Sequence, residues 1–121
     1  MKQLQNNFTT VEQSKRLLEL GLPADSADCS YNNSFGFIFV ASDKTKEYWK
    51  QNGNEHLVPC WSVGRLIEIY EVCTGHKFKR LLDKNGKLIY VILLYDVLAQ
   101  IEYSIINSVD GVRWDFLKLE E

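Results

Sequence analysis

Four side chains able to ligate zinc, or to serve as nucleophile and base, bracket one apolar segment. They are His56, Cys60, Cys73 and His76 in HLVPCWSVGRLIEIYEVCTGH, residues 56–76. The order resembles a zinc finger written backwards, and a structural ion would need all four ligands within about 2.3 Å of it. A continuous helix over 60–73 rises 1.5 Å per residue and holds the two sulfurs roughly 20 Å apart. A single four-ligand site is incompatible with that helix. No metal and no other cofactor is expected.

Thiol chemistry is the second possibility. Cys60, within Pro59-Cys60-Trp61-Ser62, falls at the expected N-terminus of the helix, where the macrodipole stabilises a thiolate. His56 or His76 would act as its base if the fold brought one near. Against this, a free cysteine usually packs as a small hydrophobe, and papain-like, caspase-like and C-x-x-C contexts are absent.

The third possibility is a core helix that happens to contain sulfur, and the pattern favours it. Val63, Leu66, Ile67, Tyr70 and Cys73 recur at helical spacing, and Ile69 and Val72 widen the apolar face. Gly64, Glu68, Glu71 and Gly75 leave one narrow polar stripe, so the helix is mostly buried. Ser62 suits its start and Gly75 its end. In its first turn Trp61 and Arg65 stand four apart, as a stacking or anion-contacting surface would require. A packed indole beside a solvated arginine is the plainer alternative.

Weaker constellations lie elsewhere. Glu68 with Glu71, and Asp25 with Asp28, have acid/base or hard-metal spacing but no third convergent ligand. HKFKRLLDKNGK, 76–87, carries Lys77, Lys79, Arg80, Lys84 and Lys87 against the single acid Asp83. A basic hairpin of this kind can dock on phosphates, with Phe78 as a stacking face. Lysines on a strand also protect it from edge pairing, the reading favoured here. Tyr48, Trp49, Trp61 and Trp114 supply aromatic material in expected surface segments, suited to a protein partner. Phosphate-loop, dinucleotide, hydrolase-elbow and zincin motifs are absent.

These residues must be positioned by a chain of 121 residues, which predicts one domain over 1–121. Hydrophobic residues make up 45% and charged ones 25%, with two prolines, an ordinary globular composition. A net charge of -2 gives no global attraction to nucleic acid or an anionic membrane. MKQLQNNFTT lacks the apolar core of a secretory signal, and LIYVILLY, 88–95, is too short to span a bilayer. Three cysteines without close pairs make no disulfide framework. Together these predict a cytoplasmic protein with no membrane association.

The periodicities predict an α+β fold in which three helices, at 9–20, 61–74 and 96–109, pack on a small antiparallel sheet. That sheet is built from FGFIFVA, 35–41, and a β-hairpin at 78–94 turning at Asn85-Gly86. The first helix carries a capping box on Thr9 and Glu12 and stops at Gly21 and Pro23. Residues 24–34 read as a turn-rich link, with one helical turn around Asp25 to Asp28. Residues 42–56 read as a polar excursion with a short helical stretch near Tyr48 and Trp49. Asp96 caps the third helix, whose face is Val97, Leu98, Ile101, Ile105 and Val109, and Gly111 ends it. Val112, Trp114 and Phe116 alternate as in an edge strand.

NNFTTVEQSKRLLELGLPADSADC, 6–29, and PCWSVGRLIEIYEVC, 59–73, resemble a family of short proteins encoded by gut anaerobes and their phage-like or mobile elements. DFLKLEE, 115–121, resembles that family's ending. No activity, cofactor or catalytic residue is established for the family. The resemblance implies a small stand-alone accessory protein and disfavours a housekeeping enzyme. Three functions are therefore carried forward, in order. The first is a non-enzymatic module that binds a protein partner or assembles with itself. The second is a nucleic-acid-binding accessory using 77–87, and the third a thiol enzyme at Cys60.

Overall fold

The structure, a computed structural model, describes residues 7–78, 84–85, 90–107, 114, 116 and 119. Among them the chain runs through α1 (Val11–Glu19), a 3-10 turn (Ala24–Ser26), β1 (Cys29–Asn32), β2 (Phe37–Val40) and α2 (Asp43–Asn52). It continues through β3 (Leu57–Cys60), α3 (Val63–Thr74) and α4 (Tyr90–Asn107). The fold is α+β, as expected, but among the described residues it has four helices rather than three. The three strands form one antiparallel sheet in the order β2-β1-β3.

Helix α1 keeps its capping box but starts one residue later than expected. Thr10 accepts from the Gln13 amide at 3.1 Å, and the Gln13 side chain accepts from the Thr10 amide at 2.9 Å. Thr9 is unavailable because it is bonded elsewhere: its amide donates to the Trp61 carbonyl and its hydroxyl accepts from the Trp61 amide, both at 3.0 Å. At the other end Gly21, at φ 108, lets the chain reverse. The Gly21 amide then donates to Leu18 and the Leu22 amide to Leu17, the paired bonds of a Schellman stop.

The second correction is the hairpin. Residues 90–95, expected as its return strand, begin the helix α4, and Asp96 lies inside that helix rather than capping it. A short apolar run fits a buried strand and a buried helix equally well. Here the run joins a longer helical period in which Leu94, Val97 and Ile101 are buried. The remaining hairpin positions, apart from Phe78, Lys84 and Asn85, lie outside the described residues, as do Val109, Gly111 and Val112. Phe116 is in 3-10 conformation, not an edge strand. Among the described residues no helix is long and apolar enough to cross a membrane.

Strands β1 and β3 are the elements that the pattern missed. Cys29 and Ser30 of β1 are small because the middle of the sheet is covered on both faces. Pro59 in β3 argues against a strand but is tolerated at an edge. Asn33 donates to the His56 carbonyl one step past the β1–β3 register, so the pairs that exchange hydrogen bonds are Tyr31 with Val58 and Cys29 with Cys60. Pro59 therefore sits where its nitrogen faces away from β1.

The core gathers where β3 hands over to α3. Trp61 is fully buried, beside Leu66, Ile69, Val97 and Ile101 in one apolar cluster. Its indole donates to Ser26 Oγ at 3.0 Å, and Arg65 Nε donates to the Ser26 carbonyl at 2.7 Å. Asp28 receives both the amide and the hydroxyl of Ser62, at 2.9 and 2.6 Å, while Ser62 Oγ caps α3 by accepting from the Arg65 amide. Trp61→Ala should cost about 3–5 kcal/mol, a large share of total stability. Trp61→Phe keeps most of the volume, loses the Ser26 bond and should cost about 1 kcal/mol beyond any packing loss. Urea midpoints at unchanged slope check both.

Candidate functional site

The ligand-type residues His56, Cys60, Cys73 and His76 do not converge on one site. Cys60 is not at a helix N-terminus: it ends β3, two residues before the Ser62 cap, and is almost fully buried. His56 lies before the other end of the strand, its Nδ1 3.0 Å from Ser34 Oγ and its ring against Tyr48. His76 is exposed beyond α3, and Cys73 is buried on that helix. Among the described residues no group of three or more His, Cys, Asp or Glu side chains could hold a metal ion.

Cys60 instead meets Cys29, its direct cross-strand partner, and both are free thiols. Burial pushes Cys60 from the ordinary 9.0 up to about 11; hydrogen bonding to Thr9 opposes this and the Asp28 charge adds to it. Cys29 rises to about 12, from burial first, then from Asp28 and from Cys60. The Cys60 thiol donates to the Thr9 carbonyl at 3.3 Å. These are protonated, enclosed thiols, the reverse of what an activated nucleophile requires.

The other candidate residues are mostly engaged in the fold. Trp49 and Trp61, expected at the surface, are both buried. The Trp49 indole donates to the Leu57 carbonyl at 2.7 Å, and Tyr48 is half-buried. Arg65 is tied to Ser26 and Glu68, so Trp61 and Arg65 do come together, but on Ser26 rather than around an open surface. Trp114 is half-buried and meets Tyr70 and Phe116 edge-on or tilted. Each carboxylate of the two pairs has its own partner: Glu71 accepts from the Phe78 amide, Glu68 pairs with Arg65, Asp25 lies 3.8 Å from Lys50, and Asp28 accepts from Ser62. Lys77 and Lys84 are exposed, whereas Lys79, Arg80 and Lys87 lie outside the described residues.

Among the described residues, one edge of the sheet is left open. Burial falls steadily from β3 through β1 to β2, where three of the four residues are exposed. Phe37 and Val40 are 49% and 78% exposed, and Phe35, in the hairpin turn, reaches 80%. The Ala41 amide donates to the Asp28 carbonyl one step past the β1–β2 register. By antiparallel alternation Phe37 and Phe39 direct their backbone groups to β1, and Ile38 and Val40 direct theirs outward. Two amides and two carbonyls thus line the free edge.

The opposite edge is closed three ways. Pro59 offers no amide there, the Trp49 indole covers the Leu57 carbonyl, and the extension of β3 is paired by Phe8 against Ser62. Among the described residues none of these devices protects β2. NSFGFIFVAS, 33–42, contains no charge and no proline, the usual guards of an exposed edge. Beside it, Ile38 and its cross-strand partner Tyr31 form one wall of a cleft of ≈ 260 Å³. Phe8, Thr9, Thr10 and Val11 form the other. FGFIFVA was legible as a strand; its lack of charge was the unused sign that it is an unguarded edge.

No family model, no curated protein and no solved structure matches the chain. The site is therefore read from its own geometry.

Alkylation of Cys29, Cys60 and Cys73 should be slow in the native protein at about pH 8 and fast after unfolding, measured by mass-resolved labelling. The raised thiol pKa values also fix a sign. Their contribution to stability is fully present below 9.0, the unfolded value, and is lost as pH rises through about 11 and about 12. Denaturation midpoints should fall across that window, less so in Cys60→Ala.

Proposed function

We propose that the chain is a non-enzymatic interaction module that accepts an extended strand on the free edge of β2. The observation that carries this is the asymmetry of the sheet: one edge is closed by proline, indole and a pairing segment, and the other presents an uncharged apolar strand. Strand addition suits such an edge. Main-chain hydrogen bonds to Ile38 and Val40 supply affinity, and alternate side chains of the guest supply selectivity. Side chains on the Ile38 face of the guest lie toward the cleft walled by Phe8 and Val11, which is apolar with threonine hydroxyls at hand. Cys29 and Cys60 are enclosed, protonated thiols, which favours a binding role over thiol chemistry. An accessory role of this kind also accords with the family that the helical segments resemble.

Val40→Pro removes an outward amide without touching the ladder to β1, so it tests the edge with little effect on the fold. Peptides selected from a displayed library by the native chain should alternate apolar and polar residues. They should lose binding on the order of tenfold or more to Val40→Pro, while a control change on the exposed face of α2, Glu47→Lys, leaves binding intact. Peptides that bind both variants equally would put the site elsewhere.

A further inference from the structure

We infer that the strand received by β2 is β2 of a second copy, paired antiparallel about a two-fold axis through Phe39. This rests on the strand-addition reading above and specifies its occupant. The argument is one of register. Only Ile38 and Val40 direct their amides and carbonyls outward from β2, so a two-fold pairing must set these residues opposite each other. Centring on Phe39 sets Ile38 against Val40 of the second copy and Val40 against its Ile38. Each such pair exchanges two bonds, about four in all, and every outward group of both strands is satisfied.

The neighbouring registers fail. Centring on Ile38 sets Val40 against Gly36, whose amide already donates to the Asn32 carbonyl at 2.7 Å. Centring on Val40 sets Ile38 against Ser42. The Ser42 amide donates to Thr45 Oγ1, and its carbonyl accepts from Lys46 as the start of α2. Only the Phe39 register uses groups that are uncommitted among the described residues.

Side chains and charge agree with it. On one face Phe39 meets Phe39 of the second copy as a close non-hydrogen-bonded pair, extending the Phe37–Phe39 ring contact (centroids 5.8 Å apart) into a row of four rings. On the other face Ile38 packs beside Val40, two β-branched side chains of good sheet-forming type. No residue from 33 to 42 is charged, so the two-fold axis brings no like charges together and the strand holds none to select an oppositely charged partner. A single strand pair lies below the roughly 1,200 Å² of a standard interface. The assembly is accordingly a weak, reversible dimer with a continuous sheet of six strands.

The experiment combines sedimentation across a concentration series with disulfide trapping. The native chain should shift from monomer to dimer as concentration rises. Val40→Pro and Val40→Lys should each weaken the dimer on the order of tenfold or more, with far-ultraviolet circular dichroism and urea midpoint close to native. In the Phe39→Cys chain the new thiols lie about 4.5 Å apart between Cα atoms, within disulfide reach. Mild oxidation should give a covalent dimer that neither Ile38→Cys nor the native chain gives. A dimer that survives both Val40 variants, or one trapped by Ile38→Cys and not by Phe39→Cys, overturns the inference. So does a native chain that stays monomeric throughout. In that last case, peptides still lost by Val40→Pro would leave the strand-addition reading standing, and peptides that bind both variants would remove it too.

Discussion

The fold depends on how three residues, Cys60 to Ser62, are held as β3 gives way to α3. Two stretches distant in sequence, around Thr9 and around 26–28, converge on them. Thr9 pairs with the backbone of Trp61 and takes the Cys60 thiol bond, Ser26 receives the indole, and Asp28 receives Ser62 through both oxygens. A buried indole and buried backbone groups are costly unless bonded. Each of these bonds therefore does more than add a small gain: it removes a penalty. The same node sets where α1 starts, because Thr9 is spent on Trp61, and where α3 starts, because Ser62 is its cap.

From that node the rest of the sheet follows. Pairing of Phe8 with Ser62 closes the outer side of the β3 extension, and the Trp49 indole on the Leu57 carbonyl brings α2 against the other end of β3. Among the described residues the covering elements are thus concentrated on β3, and none lies over β2. The burial gradient across the sheet is a direct consequence. Its physical result is an edge with unpaired backbone groups and apolar side chains, a surface whose ordinary fate is to pair with another strand. A sheet this small gains from such pairing, since added strands extend the ladder without disturbing the core.

The chemistry suggested by residue types dissolved under burial and geometry. Cys60 needed a helix N-terminus and a histidine, and it received a strand end, a neutral thiol partner in Cys29 and a nearby carboxylate in Asp28. Burial first, and then the Asp28 charge, disfavour the thiolate. Arg65 and Trp61 came together as the spacing implied, yet on Ser26, where they hold the turn before β1 against α3. Groups that look catalytic by type can be structural by position, and the decisive quantity is whether water or a ligand reaches them.

How much of this was legible beforehand divides along the range of the forces involved. Local signals were read correctly: the Schellman stop at Gly21, the Ser62 and Gly75 ends of α3, the burial of that helix, the strand at 37–40 and the α+β class all follow from short-range sterics and periodicity. Non-local matters were not. β1 is short and partly polar and β3 is short and carries Pro59, and they become strands because each is the other's partner, so no pattern within either segment announces them. The apolar run at 90–95 suited both a strand and a helix, and packing of Leu94, Val97 and Ile101 into the core chose the helix. The sequence by itself determined which segments are apolar, where helices can stop and that residues 33–42 carry no charge. Only the tertiary structure decided that this uncharged strand is an edge, because exposure is a property of what the other segments cover.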